Sequence, residues 1–374
     1  MSGVNLLNVG PLKKRPGALG SLLTAIGRLV CFMALLVAVL AAPTNAQSDS
    51  SVVPGPKPPD APRKWKELVG IYSGEEDKKL SFVLLEQDGK LLWQDTKGVN
   101  QELQLSSDTL FLPPESKKQF PHDIVRDEAG RIVAFCYLNF CNQRKDPGAD
   151  PTRSYHITPA KPVEELRREA LAGAPPAENR SFLQPDLVEL APLDPAIHLD
   201  IRYATANDFL GVPVYTQARA FLQRPAAEAL LRVLQKLKPL GYGLLIHDGY
   251  RPWYVTKIFW DATPPEGKIF VADPSQGSRH NRGCAVDLTL YDLQTSRPIE
   301  MTGAYDEMSP RSFPNYPGGT SLQRWHRDLL RRAMESEGFT VYEAEWWHFD
   351  YKDWREYSIL NIPFEKLGIG SAAK

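Results

Sequence analysis

The residues best suited to chemistry lie in two short segments. The segment SRHNRGCAVD at 278–287 contains His280 and Asp287, and the later segment EWWH contains His348. Two imidazoles and one carboxylate, with a fourth position open, are the ligand set of a catalytic zinc site. Glu345 lies beside the last ligand, where a further carboxylate can act as the base for an attacking water. The combination predicts a hydrolase that binds a single zinc ion per chain.

The spacing of these residues requires irregular backbone in both segments. His280 and Asp287 are an odd number of residues apart, so they would face opposite sides of one regular strand. The chain must therefore bend between them, and Gly283 tolerates the backbone angles of such a bend. Glu345 and His348 are also an odd number of residues apart, which predicts a local twist or bulge.

The two segments resemble the signature of the D-Ala-D-Ala dipeptidases, the VanX-like branch of a zinc peptidase superfamily. That signature reads S-x-H-x-x-G-x-A-x-D and then E-x-x-H, and each of its positions is present here. HDGYRPW at 247–253 and DIRYATANDFLG at 200–211 carry the same resemblance, which covers residues 183–368. The resemblance implies zinc binding by His280, Asp287 and His348, and hydrolysis of the small peptide D-alanyl-D-alanine.

Further site residues follow from the resemblance. It implies that Glu345 is the general base and that Arg251 stabilises the oxyanion formed when water attacks the peptide carbonyl. Arg251 has the alternative of pairing with Asp248 to hold its loop. Asp306 is expected to face the free amine of the substrate, because an unpaired buried carboxylate is costly unless a cation arrives. Ser278 is expected to bond that amine or the peptide carbonyl.

Three other interpretations stay open at this point. The protein is alternatively a D,D- or L,D-carboxypeptidase that trims peptidoglycan stem peptides. It is alternatively a non-enzymatic zinc-bearing binding module, although the presence of Glu345 and Arg251 argues against this. In the third alternative, the N-terminal half is the functional part and tethers the protein to the wall or to a partner. Glu307, adjacent to Asp306, is a second candidate for the amine-facing carboxylate.

Apolar periodicity predicts an α+β fold for the second half of the chain. An amphipathic helix is expected over Pro225–Leu237, with proline in its first turn. A second helix is expected to be capped by Thr320 and to end at Gly338. Strand patterns flank these helices, beginning with IHLDIRY at 197–203, so we expect a mostly antiparallel sheet flanked by helices.

The N-terminal half divides into shorter segments. Residues 1–46 read as a signal peptide cleaved after Ala46, because a basic start precedes an apolar run shorter than the about 20 residues of a membrane span. This predicts export to the periplasm with no stable membrane span after processing, and an uncleaved anchor is the alternative. The following segments are predicted to be a flexible Pro/Ser-rich linker, a small antiparallel β domain, a Pro/Ala-rich connector with a short helix, and the peptidase domain, at 47–64, 65–157, 158–182 and 183–374.

The β domain contains no cluster that suggests chemistry, so we expect it to be dispensable for hydrolysis and to contact the cell wall or a protein. Asp88-Gly89 predicts a hairpin within it. Cys136 and Cys141 either pair or stay free. Cys284 lies between two metal ligands but is expected to be a small buried residue. A net charge of −1 with scattered basic residues argues against a nucleic-acid partner.

Overall fold

The computed structural model describes residues 52–74, 81–107, 109–111, 121–138, 140–146 and 155–368. These residues form a closed β-barrel and a mixed α+β unit. The predicted signal peptide lies outside the described residues. Within the described ranges, no helix has the length and apolar character needed to cross a membrane.

The barrel consists of eight strands from the described segments, each antiparallel to the next in chain order. Strand β1 also pairs with β8, with Tyr72 opposite Arg144, and this pairing closes the barrel. The predicted hairpin at Asp88-Gly89 joins β2 to β3, and both residues have the positive φ of a tight hairpin turn. The strands are β1 Gly70–Gly74, β2 Ser81–Gln87, β3 Lys90–Gln94, β4 Asn100–Ser106, β5 Thr109–Phe111, β6 His122–Arg126, β7 Ile132–Tyr137 and β8 Phe140–Arg144.

A disulfide joins Cys136 to Cys141 across the hairpin formed by β7 and β8. The chain reverses between the two cysteines, so they are directly opposed on neighbouring strands. Residues directly opposed on antiparallel strands place their side chains on the same face of the sheet. Of the two alternatives that the sequence left open, free thiols or a local disulfide, the structure shows the disulfide.

The α+β unit is built on a five-stranded sheet with the order β10-β12-β13-β15-β14. Only the β10–β12 pair is parallel, so the sheet is mostly antiparallel, as expected. The predicted strand at 197–203 is shorter than expected, because the chain leaves the sheet after Leu199. The strands are β9 Leu187–Glu189, β10 Ile197–Leu199, β11 Phe221–Gln223, β12 Tyr242–Asp248, β13 Ala285–Asp292, β14 Phe339–Tyr342 and β15 Glu345–Tyr351, of which β9 and β11 form a separate pair.

Helices pack on this sheet, and the two predicted ones lie close to their expected bounds, although the last helix ends at Glu335, three residues before Gly338. The helix expected from Pro225 begins one residue earlier, and proline occupies its first turn. Thr320 caps the last helix through a reciprocal pair of hydrogen bonds with Gln323. Gly338 follows that helix with φ +85°. The helices are α1 Arg63–Leu68, α2 Val163–Ala172, α3 Arg224–Leu237, α4 Trp253–Ala262 and α5 Ser321–Glu335.

Two segments expected to be linkers instead pack on the α+β unit. Val52 is buried in its hydrophobic core, and the carbonyl of Gly55 accepts a hydrogen bond from Trp325 Nε1 at 3.0 Å. In the second segment, Leu166 and Ala170 of α2 are buried in the same core. The described part of the first segment is therefore held in place by apolar burial of Val52 and by the hydrogen bond from Trp325, contrary to the expectation of a flexible linker.

The barrel contacts the α+β unit through polar groups, and both belong to one compact unit within Ser48–Lys374. At one contact, the carboxylate of Glu86 accepts a hydrogen bond from the backbone N–H of Ser321 at 2.7 Å, at the N-terminus of α5. At the other, Arg311 donates to Asp146 at 2.7 Å. Anions are favoured at helix N-termini, so the first contact also stabilises α5.

Candidate active site

The three predicted metal ligands are brought together by the centre of the sheet. Asp287 on β13 pairs directly with His348 on β15, so their side chains lie on one face. His280 lies in a short 3₁₀ turn that ends at Gly283, whose φ of +68° provides the predicted bend before β13 begins. The ligand atoms of all three residues lie within 4.8 Å of one another, and all three residues are buried.

The donor set fits a tetrahedral metal ion. His280 Nε2 lies 3.0 Å from His348 Nδ1 and 3.3 Å from Asp287 Oδ1, and His348 Nδ1 lies 3.1 Å from Asp287 Oδ1. Tetrahedral zinc with bonds of about 2.0–2.1 Å requires ligand separations of about 3.3 Å. Asp287 Oδ1 is buried and has no hydrogen-bond partner among the described residues. A buried carboxylate oxygen without a partner is costly, so these residues are suited to hold a cation.

The outer nitrogens of both imidazoles are fixed by acceptors. His280 Nδ1 lies 2.7 Å from the carbonyl oxygen of Gly249, and His348 Nε2 lies 2.9 Å from Asp350 Oδ1. Each outer nitrogen must carry the hydrogen, because its partner can only accept. In the neutral rings that bind a metal, the inner nitrogens therefore present lone pairs to each other and to Asp287 Oδ1. Partners of this kind orient the histidine ligands of metals and raise their basicity.

Asp350 was not predicted as a site residue. Its signal is the H-x-D spacing of His348 and Asp350, because alternate strand residues share a face. Burial acts to lower the pKa of His348, but the charges of Asp350 and Asp287 outweigh it and raise this pKa to about 10. The surroundings of His348 thus favour a positive charge.

A bulge in the last hairpin places Glu345 beside the triad. The pairing of β14 with β15 shifts between Val341 and Tyr342, as the odd spacing of Glu345 and His348 requires. Glu345 Oε2 lies 3.7 Å from His348 Nδ1. Burial raises the pKa of Glu345 to about 8, with the charge of His348 opposing the shift and that of Asp287 adding to it. A bound cation would lower this value.

The two tryptophans between Glu345 and His348 are both buried, and neither faces solvent. Trp347 lines the cavity beside the triad. Trp346 contacts a separate small cavity, as expected for the next residue along a strand. The two rings therefore point to opposite faces of the sheet, and only that of Trp347 borders the cavity beside the triad.

Arg251 pairs with Asp248 and also lies at the cavity, as each of its two expected roles requires. Its Nε donates to Asp248 Oδ2 at 2.9 Å, so the pairing that holds the loop is present. Asp248 is itself fixed by the hydroxyl of Tyr215 at 2.8 Å. Arg251 also reaches the cavity, where its guanidinium lies 3.7 Å from Asp287 and packs 4.8 Å from the centre of the Phe259 ring. The guanidinium is therefore held in one orientation beside the metal ligands.

Asp306 faces the same cavity with one oxygen unused. Its Oδ1 accepts from the hydroxyl of Tyr203 at 3.0 Å, whereas its buried Oδ2 has no partner among the described residues. Burial, with the charge of Asp287, raises the pKa of Asp306 well above its usual range. Its φ of +59° is rare for a residue with a side chain and costs on the order of 1–3 kcal/mol. An acidic group in this position favours a cationic ligand.

Glu307 does not compete with Asp306 for that ligand. Its carboxylate accepts from the backbone N–H of Ala304 at 2.9 Å and from the hydroxyl of Ser309 at 2.5 Å. Ser278 also makes a structural contact, because its Oγ accepts from the backbone N–H of His280 at 3.2 Å. Its hydroxyl hydrogen is not used in that contact.

The predicted site residues line one cavity of about 90 Å³. Tyr203 and Phe209 from the DIRYATANDFLG stretch also line the cavity. This stretch, which carries part of the family resemblance, therefore contributes to the site. Cys284 is buried and free, and burial raises the pKa of its thiol. It is not part of the ligand group, as expected. The seven predicted residues are Arg251, Ser278, His280, Asp287, Asp306, Glu345 and His348.

Comparison with known proteins identifies the family. The profile of the M15 peptidases, described as D-Ala-D-Ala dipeptidase, matches residues 184–364. A D-alanyl-D-alanine dipeptidase of Escherichia coli K12 is 34% identical over 179 residues, covering 48% of this chain and 91% of that protein. One from Enterococcus faecium is 35% identical over 185 residues, covering 43% and 90%. One from Streptomyces coelicolor is 34% identical over 175 residues, covering 42% and 87%. The chain is therefore a peptidase that belongs to the M15 family of D-Ala-D-Ala dipeptidases.

Proposed function

We propose that this protein is a zinc-dependent dipeptidase that hydrolyses D-alanyl-D-alanine. The observation that carries the proposal is the buried Asp287 Oδ1, which lies close to two inner imidazole nitrogens and has no hydrogen-bond partner among the described residues. A metal ion satisfies the lone pairs of all three ligand atoms at once. The substrate is proposed from the names of the relatives, and the unpartnered oxygen of Asp306 supports it.

His280, Asp287 and His348 would hold a single zinc ion, whose fourth position stays open because Cys284 does not join the group. When bound, zinc acts as a Lewis acid that activates water and polarises the scissile carbonyl. Asp350 and the carbonyl of Gly249 keep both imidazoles in the orientation and tautomer that the ion requires.

The remaining site residues bind the substrate and move a proton. Glu345 takes a proton from the attacking water and delivers it to the leaving amine, for which a carboxyl with a pKa near neutrality is suited. Arg251, held by Asp248, donates to the developing oxyanion. Asp306 binds the free ammonium group of the substrate through its unused oxygen, and Ser278 offers its hydroxyl hydrogen to the peptide carbonyl.

A dipeptide is favoured over a longer stem peptide for a physical reason. The N-terminal ammonium group is charged in a free dipeptide, whereas the corresponding nitrogen of a longer peptide is a neutral amide. An amide leaves the buried Asp306 without its counter-charge, and discrimination against a missing partner is strong in such a site. The same argument disfavours the D,D- and L,D-carboxypeptidase alternatives. The binding-module alternative is disfavoured by the presence of Glu345 and Arg251 in the cavity.

We further propose that the enzyme is exported to the periplasm after cleavage at Ala46 and acts in cell-wall turnover or D-alanine recycling. The basic start and apolar run of residues 1–46 support export. In this proposal the barrel at 65–157 precedes a peptidase domain at 183–374, and it also supplies any contact with the wall or with a protein.

The test uses the purified protein with zinc and a panel of peptides. D-Ala-D-Ala should be cleaved, N-acetyl-D-Ala-D-Ala and stem pentapeptides should be cleaved poorly, and L-Ala-L-Ala reports the stereochemical preference. Alanine release measures each rate. Equal rates on the free and acetylated dipeptides would contradict the proposed role of Asp306. Hydrolysis of none of the peptides would favour the binding-module alternative.

A further inference from the structure

The loop that carries Asp306 depends on a buried network for its conformation. Asp306 has a positive φ, which residues with side chains adopt only when neighbouring groups hold them there. The next residue, Glu307, is fully buried. Its carboxylate accepts hydrogen bonds from two other residues of the loop, Ala304 and Ser309. The direction of Asp306 therefore depends on where the carboxylate of Glu307 is held.

Arg311 fixes that carboxylate and the start of the loop together. Its Nε donates to the carbonyl of Thr302 at 3.0 Å and lies 3.6 Å from Glu307 Oε1. A second nitrogen of the same guanidinium donates to Asp146 Oδ1 at 2.7 Å. Asp146 directly follows the barrel, so the loop is anchored by a residue outside the α+β unit.

Asp146 is itself held rigidly at the end of β8. Its Oδ2 accepts from the backbone N–H of Ile71 at 2.5 Å, and its Oδ1 also accepts from Arg144 Nε at 3.0 Å. A Cβ atom at Gly70 would lie 2.5 Å from Asp146 Oδ2, so glycine is needed for this close approach. The side chain of Asp146 is wholly buried. The barrel thus presents a fixed negative charge to Arg311.

We propose that Asp146 of the barrel is a positioning residue for the substrate-amine site, acting through Arg311 and Glu307 on Asp306. The inference rests on the proposed dipeptidase function. The barrel lies outside the residues matched by the family profile, 184–364, so this anchor is additional to the family's peptidase unit. The expectation that the β domain is dispensable for hydrolysis stays a prediction, and the proposal adds to it a role of the barrel in substrate selection.

Removal of Asp146 takes away the carboxylate to which the buried Arg311 donates at 2.7 Å and leaves Glu307, 3.6 Å away, as an acidic neighbour. Arg311 must then move closer to Glu307 or turn toward solvent, because an incompletely paired buried charge is unfavourable. Either movement disturbs the hydrogen bonds that Glu307 makes to Ala304 and Ser309 and releases Asp306 from its strained conformation. Asp146, Arg311 and Glu307 are not metal ligands, but Tyr305 of the same loop donates to Asp287 Oδ2 at 3.1 Å, so the zinc content of each variant is measured beside its activity.

Glu86 supplies a matched control. It is also a buried acid of the barrel, and it also accepts hydrogen bonds from the peptidase unit, at Ser321. Its partner lies at the start of α5 rather than in the loop of Asp306. Glu86→Ala therefore weakens the same domain contact without touching the proposed anchor.

The test compares Asp146→Ala and Glu86→Ala in the full chain with zinc, using kcat/KM for D-Ala-D-Ala divided by that for its N-acetyl derivative. Asp146→Ala should lower this ratio at least about ten-fold, mainly through KM for the free dipeptide, with zinc content unchanged. Glu86→Ala should keep the parental ratio. A parental ratio in Asp146→Ala, or an equal loss in both variants, overturns the proposal.

Hydrogen exchange of residues 301–313 separates this proposal from the proposed function. Faster exchange in Asp146→Ala than in Glu86→Ala supports the anchor even if the parent cleaves no dipeptide, an outcome that would defeat only the dipeptidase proposal. Equal exchange in both variants overturns the anchor. If Asp146→Ala does not fold, Asp146→Asn replaces it under the same criteria, because asparagine keeps the shape and removes the charge.

Discussion

At the scale of single residues, the site is defined by three lone pairs that face one another. The outer hydrogen bonds of His280 and His348 direct their inner nitrogens toward Asp287 Oδ1, which has no hydrogen-bond partner in the part of the chain that the structure describes. Lone pairs that face one another repel, so this arrangement favours the binding of a metal ion. The same argument applies to Asp306, whose Oδ2 has no partner among those residues and can bind a cationic group. Binding at both places relieves a cost already present in the fold.

Glu345→Ala should keep zinc and lose turnover. Glu345 is proposed as the base rather than as a ligand, and positioned acid–base catalysis contributes roughly a hundred- to ten-thousand-fold to the rate. The measurements are zinc content by elemental analysis and release of free alanine. Glu343→Ala is the control, because Glu343 is exposed on the same strand connection and should behave like the parent. Parental turnover in Glu345→Ala would show that another group is the base.

Asp350→Ala should weaken zinc binding without removing a ligand. Asp350 fixes the Nε2 hydrogen of His348, and loss of such a partner costs about ten- to a hundred-fold in metal affinity. Competition with a calibrated chelator measures this change. Asp353→Ala, an exposed acid close by in the chain, is the control for the change in net charge. Identical affinities in both variants would show that Asp350 does not orient the ligand.

At the scale of elements, helix α5 carries a buried histidine that must stay neutral. The ammonium of Lys57 donates to the hydroxyl of Tyr242 at 2.7 Å, and this hydroxyl lies 3.0 Å from His326 Nε2. The hydroxyl can therefore donate its own hydrogen to an unprotonated ring nitrogen. Burial, with the charge of Lys57, lowers the pKa of His326 to about 4.

The free energy of unfolding should therefore fall as the pH drops from about 6.5 to about 4. Only the unfolded chain binds a proton at His326 in that window, so the contribution is present above the unfolded pKa and is lost through the folded pKa. The loss amounts to at most about 3 kcal/mol. Denaturant unfolding at several pH values measures it, and His326→Gln, which keeps an acceptor but does not titrate, should show a flatter profile. Parallel profiles would contradict this account.

At the scale of the whole molecule, the folded peptidase unit begins before the family match. Leu166 and Ala170 of α2 are buried in its core, and Glu178 pairs with Arg282 at 2.6 Å. These contacts lie N-terminal to residue 183, at which the sequence predicts that the peptidase domain begins.

A fragment that begins at Tyr155 should therefore be more stable than one that begins at Asn179. Burial of a single leucine side chain contributes about 1.5–3 kcal/mol, and α2 adds Val163 and Ala170 to Leu166. Urea unfolding of the two zinc-loaded fragments measures the difference, with the full chain as reference. Equal unfolding free energies would show that α2 adds nothing to the peptidase unit. Both fragments lack Asp146 and should share the loss of discrimination for the free amine.

The candidate reacting groups of this protein could be predicted from its amino-acid sequence. The residue types and local spacings of the two ligand segments predict the metal triad, the bend at Gly283 and the bulge before His348, because side-chain chemistry and strand alternation are local properties. The apolar faces of α3 and α5 and the Thr320 cap of α5 were also predictable, since helix starts and periodicity are encoded within a few turns.

The groups that hold these residues in place are far away in the chain and become visible only in the folded structure. The register that sets Asp287 opposite His348, the carbonyl of Gly249 behind His280, and the anchor from Asp146 to Arg311 each join segments far apart in the chain. No local pattern encodes such partners, because they follow from strand order and from the way the barrel packs on the α+β unit. The sequence thus specified the reacting groups, and the packing of the two parts decided how those groups are held.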